Sequence, residues 1–261
     1  MLQHGVIYVA TGADYAALAV VSAESLRAQE PGLAIDLFTD LPDARGLDVF
    51  DRVHPVPEIH PRAKLDCLSL SRFERTLFLD SDTRVLAPLG DLFDLLDRFD
   101  LALAHDVRRR SELIREDGGA GTPYAFPQMN SGVMLYRRSP AMLDFIADWR
   151  RRYRAEGELR DQITLKRLLW ESDLRFYVLP PEFNLRRVTM LDAWEPLDVV
   201  PTILHSHRLM QHMKGSPPVT ELADLVALER VARAEEWAAA GLADPVEADD
   251  PLEPFLRPDP P

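Results

Sequence analysis

Cysteine is almost missing from this chain, with Cys67 the only one in 261 residues. A single thiol excludes an internal disulfide framework and a thiolate metal cluster, and it fits a reducing compartment. Long apolar runs are missing too: no stretch of about 18 consecutive apolar residues occurs, so no transmembrane segment is expected. The N-terminus, "MLQHGVIYVATGADY", lacks a basic segment followed by a long apolar one, so the expectation is a soluble, unexported, cytoplasmic protein. Positive charge is in short supply, 30 Lys and Arg against 43 Asp and Glu, for a formal net charge of −13. That balance disfavours nucleic acid or an anionic membrane as the main partner, and any anionic ligand needs a metal or local arginines. No internal repeat is visible, which excludes solenoids and propellers.

What is present is enough apolar material for a packed core, 46% of residues. "GVIYVAT" reads as a buried strand and "DYAALAVVSAESLRAQEPG" as a helix with apolar residues at helical spacing, ending before Pro31-Gly32. "LAIDLFTD", "DRVHPV" and "RTLFLD" read as the next strands, with "KLDCLSLSRF" as a helix leading into the last. Further strands are "DLALAHD", "SGVMLYRRS", "RFYVLP" and "TILHSH". Further helices are "PAMLDFIADWRRRYRAE", with Pro140 suited to its first turn, and "RDQITLKRLLW". This alternation predicts an α/β fold with a mixed, mostly parallel sheet flanked by helices. Residues 107 to 128 read as a long loop of the kind that forms lids or binding loops. After residue 214 the composition shifts to an amphipathic helix, "TELADLVALERVARAEEWAAAG", and a Pro- and acid-rich tail. The expected division is therefore 1–214 and 215–261.

The chemistry concentrates at "LFLDSDTRVL", where Asp80 and Asp82 stand one residue apart at the exit of a predicted buried strand. A strand ending in an acidic turn explains this pattern as well as a metal does. A hard divalent cation would turn the repulsion of the two carboxylates into coordination, since oxygen-rich sites suit Mg²⁺ and Mn²⁺. Position raises the metal reading, because ligands of open α/β sheets bind beyond the carboxyl ends of the strands. Asp106 ends "DLALAHD" in the same way. His205, in "TILHSH", also falls at a strand end, where an imidazole is either a third ligand or simply hydrogen-bonded.

These segments resemble, in order over roughly residues 5 to 212, the nucleotide-sugar transferases of the GT-A fold, especially glycosyltransferase family 8, which includes glycogenin and bacterial galactosyltransferases. The resemblance implies a GT-A, Rossmann-like domain. "YVATGADYAALAVVSAESL" is similar to the nucleoside-binding segment, which implies donor contacts from Ala10, Thr11, Asp14 and Tyr15. "AKLDCLSLSRFERTLFLDSDTRVL" resembles the stretch from a cationic residue, here Lys64, to the Asp-x-Asp motif, in which Ser81 lies between the metal carboxylates. "NSGVMLY" resembles the segment that meets the donor sugar, with Asn130, Ser131 and Gly132; "RDQITLKRLL" resembles the Asp-Gln helix start, with Asp161 and Gln162. The implied metal ligands are Asp80, Asp82 and His205, with His207 an adjacent competitor; the implied catalytic group is Asp161, Gln162, Asp106 and Asn130. The C-terminal motif departs from the family pattern: "HSHRLMQHMKG" carries Arg208 in the place of a glycine and no Lys-Pro-Trp. The phosphate-binding lysine then has no obvious counterpart, and Arg208 or Lys214 are its candidate replacements.

The implied activity is transfer of a hexose from a nucleotide diphosphate sugar, a UDP-sugar foremost, to a glycan, lipid or small-molecule acceptor, with Mn²⁺ or Mg²⁺ as cofactor and retention of configuration. Two rivals stand beside it. "FLDSDTRV" also resembles the Asp-x-Asp-x-Thr/Val motif of haloacid-dehalogenase-like phosphatases, although that motif usually opens its domain and needs a later acidic pair, here only Asp249-Asp250. A GT-A nucleotide-sugar-binding protein that has lost turnover is the other, supported by the altered C-terminal motif.

Overall fold

The computed structural model describes residues 2–109, 121–158 and 160–242. Most of the predicted loop tip (110–120) and the tail from 243 onward, with Asp249 and Asp250, lie outside the described residues. Nine strands and five α-helices are described: β1 (Leu2–Ala10), α1 (Ala13–Gln29), β2 (Ile35–Thr39), β3 (Arg52–Pro55), α2 (Lys64–Cys67), β4 (Phe73–Leu79), β5 (Thr83–Val85), β6 (Leu101–His105), β7 (Met129–Arg137), α3 (Pro140–Glu156), α4 (Asp161–Glu171), β8 (Phe176–Val178), β9 (Ile203–His205) and α5 (Leu222–Ala239).

Seven strands form one sheet in the order β3-β2-β1-β4-β7-β6-β8. The pairs β1–β2, β1–β4, β2–β3 and β6–β8 are parallel, and β7 runs antiparallel to both its neighbours. The expected α/β class and the mostly parallel sheet are both present. The two-residue period of a strand builds two cores from the same segments. Val6, Tyr8, Leu77, Leu79, Val133 and Leu135 enter one cluster with Ala19, Ala23 and Leu26 of α1. Ile7, Phe78, Met134 and Tyr136 enter the other with Phe145, Trp149 and Leu165 from α3 and α4. Burial on both faces is why these strands read as continuous apolar runs. α3 begins as its sequence indicates: Ser139 Oγ caps it by accepting from the Met142 amide, and Pro140 occupies its first turn.

The segment "KLDCLSLSRF" departs from the expectation of one helix. It makes a single α turn, Lys64–Cys67, and a 3-10 turn, Leu68–Leu70, after which β4 starts at Phe73. The Arg72 guanidinium holds buried Asp36 of β2 through two bonds of 2.7 and 2.9 Å, so the chain is extended before a longer helix can form. β9 falls within the expected strand "TILHSH", but its antiparallel pairing with β5 in a second sheet was not expected, because a three-residue β5 carries too little periodicity to read. It places His205 opposite Thr83.

Candidate functional site

Strand direction assembles the site. Asp80 follows β4, and antiparallel β7 brings its first residues, Asn130, Ser131 and Gly132, alongside; the Asp80 amide donates to the Gly132 carbonyl at 2.7 Å. Asp106 follows β6 at the same edge, with its amide on the Gln128 carbonyl at 2.8 Å and its side chain buried. Ala10 and Thr11 leave β1 there too, since Tyr8 pairs with Leu79. The turn after Asp80 is fixed by buried hydroxyls: Thr83 Oγ1 donates to the Asp80 carbonyl at 2.8 Å and meets Ser22 Oγ at 2.7 Å, which meets the Tyr8 hydroxyl at 3.1 Å. Ser81 is buried within this turn.

The β5–β9 pair delivers His205 to the two aspartates. His205 Nε2 lies 3.3 Å from Asp82 Oδ1 and 3.9 Å from Asp80 Oδ2, and one ligand atom from each of the three residues falls within 4.8 Å of the others. His205 is buried, whereas His207 is exposed two residues later and stands outside the group. The ring is oriented from behind, with His205 Nδ1 3.0 Å from Asn184 Oδ1. An amide oxygen can only accept, so Nδ1 carries a proton and Nε2 is the nitrogen turned to the carboxylates. Asn184 Nδ2 in turn donates to Asn130 Oδ1 at 3.1 Å, which also accepts the Gly132 amide at 3.0 Å. Such outer partners fix the direction in which a ligand points.

Gly132 is required by this packing. A Cβ there would sit 2.0 Å from His205 Cε1 and 2.7 Å from Asp80 Oδ2. The missing side chain lets the backbone come close to the Asp-Asp-His group itself. Two carboxylates and one imidazole nitrogen suit Mn²⁺ or Mg²⁺, so the residues present fit a divalent cation. Burial would raise the Asp82 carboxyl, but the charges of His205 and Arg186 beside it bring it down to about 2, so it stays ionised. The other compact acid and histidine group among the described residues, Glu58, His60 and Asp66, already holds a cation: Arg154 Nη2 donates to Glu58 at 2.7 Å and to Asp66 at 3.0 Å.

Beside the triad lies a buried charge cluster. Lys64 Nζ donates to the Ser131 carbonyl (3.0 Å) and hydroxyl (2.9 Å) and lies 3.5 Å from both Asp80 Oδ1 and Asp161 Oδ2. Asp161, at the start of α4, accepts from Ser131 Oγ at 2.7 Å and pairs with Arg62 at 3.0 Å. Desolvation opposes its charge, yet Lys64, Arg62 and Ser131 hold its carboxyl below the usual carboxylate range. Gln162, the next residue, is half-buried in the first turn of α4. Asp14 and Tyr15 are exposed on the first turn of α1, after a Gly12 whose φ of 82° is held by its amide on Asp40 Oδ1 at 2.8 Å. Arg208 is drawn away by buried Glu229 of α5, 2.8 Å from its Nε, and Lys214 is exposed at the end of a 3-10 segment, His207–Lys214.

Arg62, Asn184 and Arg186 were not singled out from sequence. Asn184 and Arg186 belong to "EFNLRR", a stretch without a strand or helix pattern. The single isolated bridge of Leu185 to Leu204 is what brings them to His205.

No protein-family model matches the chain, and no curated protein matches its sequence. Solved structures do. The galactosyltransferase LgtC, solved in complex with donor and acceptor sugar analogs, matches with a TM-score of 0.54 and 17% identity over 78% of this chain and 87% of its own. The glycosyltransferase GlyE of Streptococcus pneumoniae TIGR4 matches with a TM-score of 0.60 and 20% identity, over 92% of this chain and 64% of its own. Mouse xyloside xylosyltransferase 1 gives 0.53 and 16%, over 79% of this chain and 98% of its own. The chain therefore has the GT-A glycosyltransferase fold. The phosphatase alternative is not favoured, since its motif would open the domain and here follows the fourth strand in chain order. Among the described residues no helix is long and apolar enough to cross a membrane.

Proposed function

We propose that this protein is a metal-dependent glycosyltransferase of the family 8 type, moving a hexose with retention of configuration from a nucleotide diphosphate sugar, a UDP-sugar foremost, to a glycan, lipid or small-molecule hydroxyl. The observation that carries the reading is the convergence of Asp80, Asp82 and an Nε2-directed His205 at the carboxyl edge of a GT-A sheet. Mn²⁺ or Mg²⁺ bound there supplies Lewis-acid stabilisation of the diphosphate as it leaves.

The chain's own residues take the remaining roles. Ala10, Thr11, Asp14 and Tyr15 line the nucleoside end, where an exposed tyrosine ring can stack on a base. Lys64, fixed by Ser131 and Asp161, presents positive charge beside Asp80 toward the donor. Ser81, Ser131 and Gly132 shape the floor, and Asn130 and Asp106 approach the sugar from β7 and β6. Positive charge developing at the anomeric carbon is met by the Gln162 amide oxygen and the Asp161 carboxylate. Of the two, Gln162 is the freer, because Asp161 is already shared by Lys64 and Arg62. In this reading residues 1–214 form the catalytic domain and 215–261 an appended helix and tail, and the single buried thiol suits a cytoplasmic setting.

The test is a nucleotide-sugar panel with Mn²⁺, followed by NMR of the released or transferred sugar. Donor-dependent turnover that chelation abolishes, with an anomeric configuration matching the donor, is the expected result. Aryl phosphate turnover without a nucleotide sugar would overturn the reading, and donor binding without hydrolysis or transfer would make the protein a binder.

A further inference from the structure

The cations around the cleft are almost all engaged by acids. Lys64 is shared by Asp80 and Asp161, Arg62 pairs with Asp161, Arg208 with Glu229, and Arg187 lies 3.6 Å from Glu236. Arg186 is different. Among the described residues no carboxylate lies within ion-pairing distance of it, its Nε is buried without a hydrogen-bond partner, and its one bond is a long one, 3.4 Å from Nη1 to the His205 carbonyl. The Leu185–Leu204 bridge holds it at the end of β9, beside the residue whose ring faces Asp80 and Asp82.

A half-buried guanidinium in that place, with no carboxylate of the described residues in ion-pairing contact, keeps donors that a ligand could take up. The two aspartates balance a divalent cation, and the one carboxylate of Asp161 is shared by Lys64 and Arg62, so with Arg186 the loaded site carries more positive than negative charge. Water cannot compensate fully at a group whose Nε is sealed from solvent. An anion with several oxygens, bound to the same metal, would complete the balance, and a guanidinium offers it forked donors.

We infer that Arg186 is the protein's diphosphate-binding cation, contacting the phosphate oxygens of a nucleoside diphosphate from the His205 side of the metal. This rests on the glycosyltransferase reading and replaces the two candidates drawn from the C-terminal motif, Arg208 and Lys214, the first held by Glu229 and the second exposed.

The test is calorimetry on the whole chain with Arg186→Gln and Arg186→Lys, using UDP, GDP, ADP and CDP each with Mn²⁺, the matching nucleoside, and Mn²⁺ alone. Arg186→Gln should weaken the preferred diphosphate by roughly 10- to 100-fold, the range for one charge-assisted hydrogen-bonding group. The nucleoside should change by less than about twofold, and Mn²⁺ alone should bind equally or more tightly, because a repelling charge is gone. Arg186→Lys should recover part of the loss, having the charge without the fork. Unchanged diphosphate affinity in Arg186→Gln overturns the inference and leaves the transferase reading intact. A parallel loss of nucleoside and Mn²⁺ binding also overturns it, marking a structural role. If the wild-type chain binds none of the four diphosphates with Mn²⁺, the transferase reading fails and this inference falls with it.

Discussion

At the scale of single residues, Asp82 and Gly132 separate chemistry from packing. Asp82→Asn keeps the shape of the side chain and removes its charge, and a neutral amide is a poor ligand for a hard cation. Metal-dependent nucleotide binding should fall below detection by calorimetry while the circular dichroism spectrum is retained. His205→Ala removes one neutral ligand and should weaken the metal less than either aspartate change, and His207→Ala, at an exposed position, should leave it unchanged. Gly132→Ala adds one carbon within 2.0 Å of the His205 ring, so the imidazole must move off its line to the aspartates. A loss of at least about tenfold in Mn²⁺ affinity is expected, with roughly 1–3 kcal/mol of destabilisation in urea from overpacking. Asp80 and Asp82 were legible in the sequence because they are neighbours in the chain and end an apolar run. Asn184 and Arg186 were not, because each acquires its role only by meeting His205 across about twenty residues of irregular chain.

At the scale of elements, the site depends on strand direction and on helix starts. The long strands could be read because they are apolar on both faces, but nothing in "NSGVMLY" says that β7 runs antiparallel, and that reversal sets Gly132 against Asp80. β9 was legible in "TILHSH", but the three-residue β5 fell below any periodic signal, and so did the pairing that carries the third ligand. The start of α4 was legible as an acid before an apolar helix, and the structure gives that acid more to do than favour a helix dipole. Asp161 is the common partner of Lys64 and Arg62, and its indole neighbour, Trp149, donates to its carbonyl at 2.9 Å. Because Asp161 is held ionised below the ordinary carboxylate range, its contribution to stability is fully present above the unfolded pKa of about 3.9 and is lost as pH falls through the lower folded value. Asp161→Asn leaves Arg62 without its carboxylate and Lys64 with Asp80 alone, and should cost on the order of 3 kcal/mol at pH 7. Denaturant titrations of the two proteins should keep that gap from about pH 8 to pH 5 and close it below about pH 4. A gap independent of pH would mean that the carboxylate charge is not what holds the cluster.

At the scale of the whole molecule, a formal charge of −13 opposes the approach of any anionic ligand, so a nucleoside diphosphate should bind only where a local group reverses the field. The net charge could be read directly from the composition, and with it the need for a metal or arginines; which cations remain free could not, because that depends on which acids fold beside them. The consequence is thermodynamic coupling: metal and nucleotide should each bind poorly alone and well together, since each supplies the counter-charge of the other. At about 100 times its dissociation constant a ligand specific for the native state adds roughly 2.7 kcal/mol. In a domain of this size about 1 kcal/mol moves the unfolding midpoint by roughly 2–4 °C, so Mn²⁺ with the correct nucleotide sugar should raise Tm by about 5–10 °C. Mn²⁺ alone or the nucleotide sugar alone should move it by no more than about 1–2 °C, and excess EDTA should return the mixed sample to the apo midpoint. Differential scanning fluorimetry across nucleotide sugars therefore reads the donor and the metal in one experiment. Equal stabilisation with and without metal would show that the diphosphate is held by protein cations alone, and that Asp80, Asp82 and His205 face one another for packing rather than for coordination.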